Sequence, residues 1–89
     1  MLEIKDKRSF RKDYKKLKSS GKDLSKLAIL IDILATGEPL AEHYIDHLLI
    51  GDYADHRECH ISPDWLLIYQ ITETELILVR TGSHSALFG

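Results

Sequence analysis

Eighty-nine residues, 44% hydrophobic and 29% charged, predict a single domain over residues 1–89 with room for one core. The only cysteine, Cys59, excludes an internal disulfide and a multi-cysteine zinc site. The net charge of −2 hides an asymmetry: residues 1–30 hold ten Lys/Arg against four Asp/Glu, and residues 31–89 hold two against ten. A basic segment of this kind fits an anionic partner, or simply the solvated face of a helix. All five histidines, His43, His47, His56, His60 and His84, lie in the acidic part.

Leu2 to Lys5 alternates apolar and charged residues and predicts a short strand. Met1 to Lys5 has no long apolar stretch of the secretory-signal kind, which points to the cytoplasm. Phe10, Tyr14 and Leu17 recur at helical spacing and predict an amphipathic helix from about Lys7 to Lys18, stopped near Gly21. Asp23 can cap a second helix whose stripe is Leu24, Leu27, Ala28, Ile31 and Leu34. Ile29, Leu30 and Ile33 widen that stripe, so this helix is expected to be the more buried. Gly37 and Pro39 end it, and residues 38–53 read as irregular.

Three strands are predicted at about 55–61, 65–72 and 76–81, joined by Ser62-Pro63-Asp64 and Glu73-Thr74-Glu75. Trp65 to Tyr69 is apolar at consecutive positions and reads as a central strand covered on both faces. This run and Leu27 to Ile31 are the longest apolar stretches, and both are too short to span a bilayer, so no membrane partner is expected. The order β-α-α-β-β-β gives an α+β domain: a small, mainly antiparallel sheet with the two N-terminal helices packed on it. In such a meander the first and third strands run the same way. His60, Asp64 and His84 then converge on one edge, with His84 carried by a flexible tail.

Asp46 to Gly51, Arg57 to Tyr69 and Arg80 to Phe88 together resemble the signature blocks of YafQ-type toxins in the RelE/ParE superfamily of toxin–antitoxin modules. The resemblance implies a RelE-like fold and a ribosome-dependent mRNA endoribonuclease that inhibits translation. It also implies a mechanism without metal or other cofactor, and a cognate antitoxin as partner. It places functional residues at His47, His60, Asp64, His84 and Phe88, with Glu58 and Arg80 at positions that are catalytic in some close relatives. The chain departs from the pattern at Tyr53-Ala54, where an aromatic-basic pair is usual, at His56, where an aromatic is usual, and in its slightly acidic charge.

The residue types suit such chemistry. Metal-free RNA cleavage needs a base for the 2′-hydroxyl, an acid for the leaving 5′-oxygen and a cation for the phosphorane. A histidine of ordinary pKa, about 6.5, does either of the first two tasks near neutrality. Arginine suits the third. The assignment is His84 as acid, His60 as base with Glu58 its rival, and Arg80 on the phosphorane. His47 would hold the phosphate, Asp64 would orient a histidine or contact substrate, and Phe88 would stack on a base.

Simpler roles compete with these. Glu58 and Arg80 can form a cross-strand ion pair, Asp64 can be a turn residue, and Phe88 can dock into the core. Trp65 and Tyr69 read as core. His56 and His60, four apart on one strand face, raise a metal site with His43, His47 or Asp55, but no short zinc motif occurs and none is expected. Lys12, Lys15 and Lys16 are the candidate contacts to RNA phosphate, on message or ribosomal RNA. A non-catalytic gyrase-binding toxin of the ParE type and a degenerate antitoxin-binding protein are the alternative functions.

Overall fold

A computed structural model describes residues 1–49 and 51–89, apart from the side chain of Asp52. Ile50, within the stretch expected to be irregular, lies outside the described residues. The elements are β1 (Glu3–Asp6), α1 (Arg8–Ser19), α2 (Ser25–Ala35), β2 (His47–Leu48), β3 (Arg57–Ser62), β4 (Trp65–Ile71), β5 (Glu75–Gly82) and α3 (His84–Phe88). Single 3-10 turns at Glu42–Tyr44 and Gly51–Tyr53 flank β2. The sheet order is β1-β5-β4-β3-β2, antiparallel throughout except for the parallel β1–β5 pair. The fold is therefore α+β, as expected. Among the described residues no helix is long and apolar enough to cross a membrane.

β4 is the centre. Trp65 to Tyr69 are all buried, with alternate side chains serving opposite layers. Trp65, Leu67 and Tyr69 face the helices and meet Phe10 of α1 and Leu27, Leu30 and Leu34 of α2. Leu66 and Ile68 face the other way and pack with Val79 and with Leu87 of α3. Continuous apolar sequence, rather than alternation, is what two covered faces require.

Helix α2 is the more buried, as its stripe predicts, but the stripe is narrower than the composition implies. Ala28 and Ile29 face out, and Ile29 is 57% exposed. Asp23 accepts the backbone N–H of Ser25 at 3.1 Å, capping from one position before the half-helical Leu24. The stretch expected to be irregular contains β2, two residues long and thus too short for any periodicity to reveal. The tail expected to be flexible is instead helical. Ser83 caps α3 by accepting the Ala86 N–H at 3.1 Å, and Leu87 anchors it to the core.

A buried tie positions β2. The Tyr69 hydroxyl donates to Asp46 at 2.7 Å, and Arg57 Nε donates to the same carboxylate oxygen at 3.1 Å. Burial, reinforced by the Asp46 charge, pushes the Tyr69 phenol far above its ordinary pKa, so it remains a neutral donor. Ile45, just before Asp46, sits at φ +50°. A β-branched residue there costs about 1–2 kcal/mol and persists only because its surroundings dictate the path. Tyr69→Phe removes one buried hydrogen bond and should lower stability by about 1–2 kcal/mol. Its thermal midpoint should fall by about 4–8 °C per kcal/mol, whereas an unchanged midpoint would mean that the tie contributes nothing.

Candidate active site

β3 and β4 turn at Pro63-Asp64, and β5 runs parallel to β3, so the ends of β3 and β5 meet that turn at one edge. Asp64 Oδ1 accepts two hydrogen bonds from His84: the backbone N–H at 3.0 Å and ring Nδ1 at 2.9 Å. The His84 and His60 rings lie edge to face with centroids 5.6 Å apart. His60, Asp64 and His84 are thus brought together, and what closes the gap is the turn into α3. The two bonds from His84, backbone first, hold the Asp64 carboxyl below the usual range.

Behind His60 lies Glu58, on the same face of β3. Its Oε1 is 3.1 Å from His60 Nε2 and 3.7 Å from His47 Nε2. β2 supplies His47 directly opposite Glu58 in the strand register. The Glu58 side chain is only 6% exposed, whereas that of His47 is 48% exposed. A carboxylate so far from water needs these partners.

Arg80 stands in the same cross-strand row, beyond Ile68. It does not pair with Glu58. Its Nε and Nη2 meet Asp13 of α1 at 2.6 and 3.1 Å, and Asp13 also accepts the Thr81 N–H at 3.1 Å. The bond to Asp13 raises the Arg80 pKa further. The ion pair raised as an alternative role is not formed because a whole strand separates the two residues, while α1 lies against β5.

Phe88 stays out of the core. It is 48% exposed, with its ring 6.5 Å from that of His84 and 6.0 Å from that of Tyr53, and Leu87 docks in its place. Trp65 and Tyr69 are core, as expected. The basic residues of α1 separate: Lys16 lines a groove beside Asp64, Lys15 lines a different hollow with Phe10 and Tyr14, and Lys12 is exposed. None of them reaches the histidines.

His56 precedes β3 and turns its Nδ1 to the Ala54 carbonyl, and His43 stacks on Tyr44. The metal-ligand set raised from spacing is therefore not assembled. Another group is: ligand atoms of His47, Glu58 and His60 all lie within 4.8 Å of one another. Two imidazole nitrogens and a carboxylate oxygen suit zinc or copper, so these residues fit such an ion. Sequence spacing raises His47 and His60 as ligands but misses Glu58, because only the pairing of β2 with β3 sets His47 opposite it. Asp13 also escapes notice, because only its place between Phe10 and Leu17 on the inner flank of a helix hints at burial.

With this geometry in view, three relatives are informative. A curated protein of Escherichia coli K12, named mRNA interferase toxin YafQ, is 42% identical over 81 residues, covering 90% of this chain and 88% of its own. The E. coli toxin in the DinJ–YafQ toxin–antitoxin complex superposes with a TM-score of 0.92 at 39% identity, covering 99% of this chain and 98% of that one. A metal-bound toxin from Helicobacter pylori gives 0.91 at 51% identity, covering 99% and 100%. A family model described as the bacterial toxin of type II toxin–antitoxin systems, YafQ, matches residues 2–89, and the chain belongs to that family.

Proposed function

We propose that this chain is an mRNA endoribonuclease that inhibits translation by cutting ribosome-bound message in the cytoplasm, and that a cognate antitoxin silences it. The observation that carries the reading is the edge where His84, oriented by Asp64, faces His60, oriented by Glu58. The E. coli relative's name, mRNA interferase, and the DinJ partner of its toxin support the same reading.

The division of labour follows from which nitrogen each carboxylate occupies. Asp64 holds Nδ1 of His84, so Nε2 is the atom that can protonate the leaving 5′-oxygen. Glu58 holds Nε2 of His60, so Nδ1 is the atom that can accept the 2′-hydroxyl proton. Glu58 is too deeply buried to meet substrate readily and acts as a positioning residue. The half-exposed His47 holds a phosphate oxygen. Arg80, held by Asp13 through Nε and Nη2 and in contact with Tyr53, is the cation assigned to the phosphorane. Phe88 offers a face for a splayed base beside His84. The attacking oxygen expels the 5′-oxygen, leaving a 2′,3′-cyclic phosphate and a 5′-hydroxyl. Lys12, Lys15 and Lys16 dock the toxin on ribosomal RNA.

A metal ion on His47, Glu58 and His60 would supply a Lewis acid there and displace the Glu58 contact with His60 Nε2 on which the base assignment rests. In the metal-independent scheme, cleavage therefore persists in excess EDTA, and its loss on chelation would overturn that part of the reading. His84→Ala and His60→Ala should each slow cleavage of ribosome-bound message by about 10²–10⁴-fold. Near-normal rates, measured by 5′-end mapping of the fragments, would sink the assignment.

Asp64 gives a pH signature. Its folded pKa lies below the unfolded value of about 3.9, so its stabilisation is complete above that value and is lost as pH falls through the folded pKa. The stability gap between wild type and Asp64→Asn should be constant near neutrality and close below about pH 4. A carboxylate carbon-13 titration of Asp64 at or above the ordinary midpoint would contradict this.

A further inference from the structure

A groove of about 420 Å³ opens beside the reactive edge along the end of β5, where β1 has stopped and α1 takes over. Asp64 stands in its wall, as do Ser83 and Ala86 on either side of His84 in the chain, whereas His84 itself does not. Lys16, Lys22 and Arg80 line it as well. Both carboxylates of the groove are already engaged: Asp13 with Arg80 and the Thr81 N–H, and Asp64 with His84. Neither Lys16 nor Lys22 forms a salt bridge among the described residues, although Lys22 is near enough to Asp64 for its charge to help hold that carboxyl down. Lys22 Nζ is poised 5.1 Å from the centroid of the Trp65 ring. The groove is therefore a polar channel whose unspent charge is positive, and it starts next to the general acid.

We infer that this groove is a subsite for the sugar–phosphate of the nucleotide on the 3′ side of the cut, with Lys16 and Lys22 gripping the phosphate that follows. The inference rests on the ribonuclease reading and assigns a direction to the strand. If His84 protonates the leaving 5′-oxygen, the nucleotide that owns that oxygen lies on the His84 side, and the groove is the only one of the three described hollows that borders Asp64. The size suits one nucleotide and the lining suits its backbone: cations for phosphate and hydroxyls for ribose. Lys16 thereby acquires a role distinct from Lys12 and Lys15, and Lys22 enters as an RNA contact.

The test uses free protein and a 2′-O-methyl RNA hexanucleotide, which binds without being cut and needs no ribosome. Binding should shift the amide signals of Gly82 and Ser83 and the Trp65 indole N–H together with His84. Lys16→Gln combined with Lys22→Gln should weaken binding about tenfold and lower the slope of log affinity against log salt by about 0.7 per lysine. Lys12→Gln combined with Lys15→Gln, which removes the same charge from the outer part of α1, should cost far less. Equal losses for the two pairs, or shifts at His84 without any at Gly82, Ser83 and Trp65, would overturn the subsite. Failure of the ribonuclease reading would show separately, as message left intact by wild-type toxin.

Discussion

Five consecutive residues of β4, Trp65 to Tyr69, have essentially no contact with water, and both faces of the strand must be covered for that to hold. One face takes α1 and α2. The other takes Val79 and Leu87, which means that the chain after β5 has to fold back over the sheet. This return makes α3 and sets His84 against Asp64. The site is therefore a by-product of covering β4: the apolar demand of one strand delivers His84, the proposed general acid, to an edge that a free tail would visit only briefly. Fully burying a leucine is worth about 1.5–3 kcal/mol, enough for Leu87 to hold a five-residue helix that has little stability alone.

Although the turn into α3 is what brings them into contact, that His60, Asp64 and His84 share one edge could be read from sequence because it depends on strand direction and on the turn at Pro63-Asp64. Both are local signals. α3 was also legible in principle, with Ser83 as cap and Leu87 as anchor, but five residues make less than two turns and show no period. β2 has no such signal at all. Two residues pair with β3 because Asp46 is pinned from the core by Tyr69, a contact across 23 positions that no local pattern records. The actual partner of Arg80 is out of sight in the sequence for the same reason: the register places Ile68 between it and Glu58, and only the packing of α1 against β5 brings Asp13 within reach.

Each of the two proposed proton carriers has its own carboxylate, and the two carboxylates live in opposite environments. Asp64 is largely in solvent, with a side chain 69% exposed, while Glu58 is almost sealed. A charge in water is cheap to hold and weak in its grip, whereas a sealed charge binds its partners strongly and tolerates their loss poorly. Glu58 is accordingly the member of the cluster on which local order depends most, since it orients His60 and faces His47 at once. Asp64 can orient His84 yet yield to an arriving strand.

Cys59 lies between Glu58 and His60 in β3, pointing to the helical face with no exposed surface, and burial holds its thiol well above the ordinary range. Because thiol reagents attack the thiolate, the folded sheet shields it twice over, by access and by protonation. Modification must wait for β3 to part from its neighbours. As the only thiol in the chain, it is an intrinsic clock for how often the strand that carries both Glu58 and His60 comes undone.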